Sequence, residues 1–114
     1  MTLKTFQVFY HFYGNGASVD SNAPISMNVA DIYSPLLGQL SEDGDFIGLI
    51  DAQGETLQVM YEAENDAYWI EVIDVSKQGS HGKHIGFDEL TDFFKALPER
   101  FQSDSINGSE FIAW

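Results

Sequence analysis

The chain contains no cysteine, and only five of its 114 residues are lysine or arginine. The absence of cysteine excludes a disulfide framework, a thiol nucleophile and any zinc site built from thiolates. No apolar run approaches the roughly 20 residues that a membrane-spanning helix needs. Residues 1–7 also lack the apolar core of a signal peptide. These absences favour a soluble cytoplasmic protein.

Basic residues are missing from one long stretch, since no lysine or arginine lies between Lys4 and Lys77. That stretch holds most of the 18 acidic residues, and the formal net charge is −13. A surface of this sign repels phosphate groups, so we expect neither direct nucleic-acid binding nor attachment to an anionic membrane. We expect a basic protein partner, because complementary potentials accelerate association. The alternative is that the charge serves solubility alone.

The composition is that of a folded domain, with 44% hydrophobic and 14% aromatic residues. A length near the commonest domain size predicts a single domain over residues 1–114. Aromatic and β-branched residues alternate over residues 5–13, which predicts a strand. Apolar residues at helical spacing over residues 29–40 predict a helix capped by Asn28, with either a kink at Pro35 or a second helix start there that Ser34 caps. A second helix is expected to follow Asp88, which serves as its N-cap, and to end before Pro98.

Short turns separate the strand-like segments 46–50, 56–62 and 68–75, which is typical of an antiparallel meander. Residues 77–83 are predicted to form a flexible loop and residues 84–87 a short strand. Residues 111–114 are apolar enough to dock as a last strand or plug. The order predicts an α+β fold with an antiparallel sheet of about four to six strands and two helices packed on one face. The other face can remain in contact with water.

Alternation along two central strands predicts a partner-binding surface on that second face. Leu57, Val59 and Tyr61, like Tyr68, Ile70 and Val72, carry no charge and should face the helices. Trp69 and Met60 should point outward, where such residues are typical of interface centres. The alternative is that Trp69 is covered by the last segment and Trp114. The predicted partner-binding residues are Asp43, Asp45, Asp51, Glu55, Met60, Glu62, Glu64, Asp66, Trp69, Glu71 and Ile73.

Motifs for metal binding and catalysis are weak. The acidic turns could hold calcium, but they lack the spacing and the closing glutamate of an EF-hand. His81 and His84 offer two ligands and no third. There is no Gly-x-Ser-x-Gly elbow, metalloprotease helix or P-loop, and the chain leaves little room for a substrate cleft beside a core. We therefore predict no metal, no cofactor and no enzymatic activity.

Several segments together resemble the first immunity-protein family of bacterial polymorphic-toxin and contact-dependent inhibition systems. They are the leading helix, the hairpin of residues 46–59, the strand 68–72, the helix 89–94 and Trp114, so the resemblance covers about residues 28–114. The aromatic first strand and residues 81–84 have no counterpart in it. The resemblance implies a protein that neutralises a cognate toxin by binding it, often a basic nuclease, and it implies no catalytic residue.

The sequence therefore predicts an acidic inhibitor that occludes a basic partner, and the predicted partner is a nuclease-type toxin. One alternative is a phage anti-CRISPR or anti-restriction protein whose carboxylates mimic duplex phosphates. A compact patch around an aromatic anchor would favour the first class, and a long ridge of evenly spaced carboxylates the second. Another alternative is a small enzyme or ligand-binding domain, which a deep pocket with converging carboxylates would favour.

Overall fold

Eight antiparallel strands form one sheet in the computed structural model, which describes residues 4–114. The strands are β1 (Thr5–His11), β2 (Ser18–Val19), β3 (Ile25–Asn28), β4 (Phe46–Ile50), β5 (Thr56–Glu62), β6 (Ala67–Asp74), β7 (Gly79–Ile85) and β8 (Glu110–Ala113). Their order is β2-β1-β4-β5-β6-β7-β8, and β3 also pairs with β1. The helices and this sheet give the predicted α+β class, but the strand count exceeds the predicted four to six.

The additional strands arise where the sequence signal is weakest. β2 and β3 are short and carry little alternation, so their pairing with β1 defines them. Residues 79–83, predicted as part of a loop, belong to β7, which pairs with β6 and with β8. A Cβ atom on Gly82 would lie 2.5 Å from the Ile70 carbonyl oxygen. Gly82 therefore lies where the backbones of β6 and β7 approach each other closely, and it does not indicate a flexible loop.

The first helical segment is broken, as predicted, near Pro35. It consists of α1 (Val29–Asp31), a π turn (Ile32–Leu36) and a 3-10 turn (Leu37–Gln39). The Asn28 side chain accepts a hydrogen bond from the Asp31 N–H at 2.9 Å, which confirms the predicted cap. Ser34 has φ −153° and ψ 108°, because the residue before a proline is sterically kept out of the helical conformation.

The second helix, α2 (Phe87–Lys95), begins two residues earlier than predicted. Gly86 occupies the N-cap position, so the predicted capping role of Asp88 is wrong. Asp88 and Glu89 lie in the first turn instead, where a negative charge interacts favourably with the helix dipole. A 3-10 turn (Val75–Lys77) connects β6 to β7.

Both helical segments pack on one face of the sheet. Their apolar side chains and the inward-facing side chains of the strands form one core, which includes Val8, Ile32, Leu37, Ile47, Leu49, Leu57, Val59, Ile70, Leu90 and Phe94. Leu57, Val59, Tyr68, Ile70 and Val72 are buried as predicted, and Tyr61 is half-buried. No helix of the described residues lies on the opposite face of the sheet, which we call the open face.

Candidate functional site

A row of large side chains crosses the centre of the open face. Directly paired residues of antiparallel strands point to the same side of a sheet. The register pairs Phe46 with Met60, Met60 with Trp69, and Trp69 with His84, so these four side chains run across β4, β5, β6 and β7. All are at least half-buried except His84, which is exposed. Met60 and Trp69 of this row point outward as the sequence predicted, whereas Phe46 and His84 were not part of the predicted surface.

Glycines fix two aromatic rings of the open face. A Cβ atom on Gly48 would lie 2.0 Å from the Phe9 ring, and one on Gly82 would lie 2.7 Å from the Trp69 ring. Each ring therefore lies across the backbone of the neighbouring strand. The Trp69 ring also contacts the His84 imidazole, with ring centroids 5.0 Å apart. Such packing restricts the orientation of the Trp69 ring.

The indole of Trp69 is not covered by the last segment of the chain. β8 pairs with β7 on the side away from β6, so it extends the sheet and does not cross the open face. Trp114 is 69% exposed. The alternative in which Trp114 packs on Trp69 is therefore wrong.

Carboxylates lie next to this apolar centre. Glu62 and Glu71 belong to the open face, on β5 and β6, and both are half-buried. The Glu62 Oε1 atom lies 2.8 Å from the His84 Nε2 atom. Ile73 lies two residues beyond Glu71 on the same face and is half-buried.

Further acidic residues border one end of the open face. Asp43, Glu64 and Asp66 are exposed at the β4–β5–β6 end of the sheet. A cavity of about 280 Å³ is lined by Asp43, Met60, Glu62 and Glu64. Two of these turn residues, Asp43 and Glu64, therefore lie near Met60. Asp66 accepts a hydrogen bond from the Tyr61 hydroxyl at 2.9 Å, and this bond raises the pKa of Tyr61.

The described lysine and arginine side chains lie away from the Phe46–Met60–Trp69 row. Lys4 donates to the Leu97 carbonyl, Lys83 pairs with Glu89 of α2 at 2.8 Å, and Lys95 lies over the Tyr33 ring. Lys77 and Arg100 line a cavity at the far end of β6, with Val72 and Ile73. No lysine or arginine of the described residues therefore lies among the row and its neighbours Glu62 and Glu71, and the basic side chain that contacts Glu62 is His84.

Two of the predicted partner-binding residues are buried. Asp45 is inaccessible to solvent, and its carboxylate accepts hydrogen bonds from the N–H groups of Tyr13, Ser41 and Glu42 at 2.8 to 3.0 Å. Burial opposes ionisation, but these three donors outweigh it and lower the pKa of Asp45. The carboxylate closes the turn before β4, and the predicted role in partner binding does not hold for Asp45.

Asp51 has a similar structural role after β4. It is 5% exposed and accepts hydrogen bonds from the N–H groups of Gln53 and Glu55, both at 2.9 Å. A third bond, 2.7 Å long, comes from the N–H of Phe101, 50 residues away in sequence. Asp51 thus ties the segment after α2 to the β4–β5 turn and is not free to meet a partner.

Glu55 is exposed, but it lies at the other end of β5, beside a different cavity. This cavity of about 350 Å³ also contains Asp74, Lys77, His81 and Arg100. Asp74 Oδ2 lies 3.0 Å from His81 Nε2, and Oδ1 accepts a hydrogen bond from the Ser76 hydroxyl. The bond to His81, followed by that from Ser76, lowers the pKa of Asp74.

The Asp74–His81 pair is a feature that the sequence analysis missed. Val72 faces His81 across the β6–β7 ladder, and Trp69 faces His84, so the two histidines point to opposite faces of β7. They cannot share a metal ion. Within residues 4–114, no group of three or more histidine, aspartate and glutamate side chains is arranged to hold one. Assigning residues 79–85 to a strand would have placed His81 opposite Val72 and near Asp74.

A groove beside the open face was also not predicted. Its volume is about 430 Å³, and its lining includes Phe9, His11, Phe46, Gln58 and Asp20. Phe9 and His11 belong to β1, Phe46 belongs to β4 and Gln58 belongs to β5, and all four lie on the open face. Asp20 directly follows β2. The groove extends the apolar centre toward the connection between β2 and β3.

No family model matches this sequence, and comparisons with curated proteins and with solved structures return no significant match. Among residues 4–114, every helix is too short or too polar to cross a membrane.

Proposed function

We propose that this protein is an acidic inhibitor that binds a basic protein through the open face of its sheet. The observation that supports the proposal is the segregation of side chains. The open face combines the Phe46–Met60–Trp69 row with Glu62 and Glu71, while the described lysines and arginine lie elsewhere. Apolar anchors bordered by charge of one sign are typical of surfaces that select a partner of the opposite sign.

The chemistry of the face fits an arginine-rich partner surface. A guanidinium group stacks on a tryptophan face more favourably than on other rings. It can simultaneously pair with a carboxylate, and Glu71 lies two residues from Trp69 on the same face of β6. Trp69 and Glu71 together thus provide both contacts for one partner arginine.

A bacterial nuclease-type toxin is the partner class that we propose. Nucleases bind the phosphate backbone with lysine and arginine, so carboxylates held against those residues would exclude the substrate. The resemblance of the sequence pattern to the first immunity-protein family supports this class. The compact patch around Trp69 also favours it over a phosphate mimic, which needs a ridge of evenly spaced charges.

The test is capture of the partner, followed by comparison of two matched double variants. The protein is immobilised, exposed at low salt to a lysate of the cells that naturally express it, and eluted at high salt. We expect a basic nucleic-acid-cleaving protein. Trp69→Ala/Glu71→Gln should weaken its binding about tenfold or more, because a central aromatic anchor and its paired charge are lost.

The matched control is Val75→Ala/Asp104→Asn, which removes one exposed apolar side chain and one negative charge away from the open face. It should bind like the wild type. Equal affinity of both variants and the wild type would refute the open face as the binding surface. Capture of a nucleic-acid-guided effector that nevertheless depends on Trp69 would favour phage counter-defence over immunity.

A small-molecule site is a second candidate, and the cavity beside His81 favours it. Lys77 and Arg100 line this cavity, and neither has a carboxylate within 4.0 Å among residues 4–114. Two such cations beside a histidine suit an anionic ligand. NMR titration with inorganic phosphate should shift the His81 signals in the wild type and not in Lys77→Gln/Arg100→Gln, while Lys95→Gln serves as the control. Equal shifts in all three proteins would exclude the site.

A further inference from the structure

The two edges of the sheet are protected to different degrees. On one side β1 is covered by the short strands β2 and β3, and Pro24 directly precedes β3. On the other side β8 is exposed at all four positions. Phe111, Ile112 and Trp114 are 43%, 46% and 69% exposed. Residues 110–114 include no lysine and no proline, the residues that usually prevent edge strands from pairing with other chains.

The outer side of β8 also presents backbone groups that have no strand to pair with among residues 4–114. The N–H of Trp114 donates to the Gln78 carbonyl at 2.9 Å, toward β7. Successive N–H groups along a strand point to alternate sides, so the N–H of Ile112 also points to β7. The N–H and carbonyl groups of Phe111 and Ala113 then point away from the sheet.

We propose that two copies of this chain pair through their β8 edges, antiparallel and about a two-fold axis. In this register Ile112 lies opposite Ile112 of the second copy, and Phe111 lies opposite Ala113. Phe111 and Ala113 exchange N–H to carbonyl hydrogen bonds in both directions, so all four outward-pointing residues of the two strands are paired. A large side chain is placed opposite a small one at both symmetry-related positions, which makes the strand complementary to itself.

Charge explains why a second copy can approach at this edge. Each chain carries a formal charge of −13, so two copies repel each other except where the acidic excess is small. β8 contains one acid, Glu110, and the adjacent β7 contributes Lys83, His81 and His84. With neutral histidines, β7 and β8 together carry no net formal charge, and β8 is far, in strand order, from the acidic turns at Asp43 and Glu64.

The dimer would join two sheets into one and place two open faces side by side. Its salt dependence separates it from the proposed function. Salt screens the repulsion between two acidic copies and so favours the dimer, whereas it weakens binding of a basic partner. Either proposal can therefore fail without the other.

Sedimentation velocity over a wide range of protein and salt concentrations tests the dimer. We expect the wild type to shift from the 12.8 kDa mass of one chain toward twice that mass, and more readily at high salt. Ala113→Pro removes an outward N–H group and leaves the bonds to β7 intact, while Ile112→Lys places a charge at the two-fold axis. Both should weaken dimerisation at least tenfold.

The matched control is Ile25→Lys on the opposite edge, where Ile25 is 43% exposed and Ile112 is 46% exposed. It should dimerise like the wild type. Hydrogen exchange of the wild type gives a second readout, because the amides of Phe111 and Ala113 should gain protection with concentration, even if Ala113→Pro fails to fold. A single-chain mass under all conditions, or a dimer that persists in Ile112→Lys without protection of these amides, would overturn the proposal.

Discussion

Two groups of carboxylates in this protein lie in the same stretch of sequence without lysine or arginine, but they have different structural roles. Asp45 and Asp51 lie in turns beside β4, and each accepts three backbone N–H hydrogen bonds while almost or fully buried. Glu62 and Glu71 lie on the open face. Glu62 contacts His84, and Glu71 has no hydrogen-bond partner within residues 4–114. An acidic surplus can therefore contain both carboxylates that satisfy backbone donors and carboxylates that lie on a sheet face.

The contrast follows from side-chain length and position. An aspartate that follows or precedes a strand by one residue can fold its short side chain back onto N–H groups of its own turn. Glu71 lies in the middle of β6 and has no free backbone donor nearby, because the ladder uses the N–H groups of both neighbouring strands. Its carboxylate therefore has no hydrogen-bond partner within residues 4–114, whereas Glu62, the last residue of β5, contacts His84.

The largest expected effect comes from removing a buried carboxylate. Asp45→Ala and Asp51→Ala each leave three backbone donors without their acceptor, so each should destabilise the fold by more than about 3 kcal/mol. Glu71→Ala should change the free energy of unfolding by no more than about 0.5 kcal/mol, as is usual for surface positions. Urea unfolding of the three variants measures this contrast. Similar values for Asp45→Ala and Glu71→Ala would remove the distinction between the groups.

A smaller effect is expected from filling the glycine positions under the aromatic rings. Gly48→Ala places a Cβ atom 2.0 Å from the Phe9 ring, and the shift this forces should destabilise the fold by about 1 to 3 kcal/mol. Gly38→Ala is the matched control, because nothing lies within 4 Å of its added Cβ atom. Thermal unfolding followed by circular dichroism compares the two. A stable Gly48→Ala variant would mean that the open face is more pliable than we infer.

The smallest effect is a difference in acid sensitivity. The pKa of Asp45 is lower in the folded protein than its ordinary value of 3.8, so the unfolded chain binds more protons in this range. The stabilisation is present above pH 3.8 and is lost as the pH falls through the folded pKa. We expect Asp45→Asn to lose less stability than the wild type between pH 5 and pH 2. The same change of melting temperature with pH in both proteins would contradict the assignment.

The sequence predicted the parts of the fold that depend on side-chain periodicity. Alternation in β5 and β6 identified the buried Leu57 and Ile70 and the outward Trp69, and the pair Ser34–Pro35 located the helix break. Side-chain periodicity could not reveal β2 or most of β7, because these strands depend on hydrogen bonds to neighbouring strands more than on apolar alternation. A glycine-rich stretch such as residues 79–82 resembles a loop until its neighbours are known.

The candidate site could be predicted in its centre and not at its border. Strand parity alone placed Met60, Trp69 and Glu71 on one face. The turn acids Asp43, Asp45 and Asp51 look equivalent in sequence, but their fates depend on which N–H groups the turn leaves free. For Asp51 one of those groups belongs to Phe101, and no local pattern could identify so distant a donor.

Two matched photo-crosslinking variants test most directly whether the open face binds the proposed basic partner. Benzoylphenylalanine replaces Gln58, which pairs with Gly48 and Glu71 on the open face, or Gln102, which is exposed beside the His81 cavity. After irradiation with the captured basic protein, we expect a crosslink from position 58 and none from position 102. A crosslink from position 102 alone would place the interface beside the His81 cavity and would contradict the proposal that the open face is the binding surface.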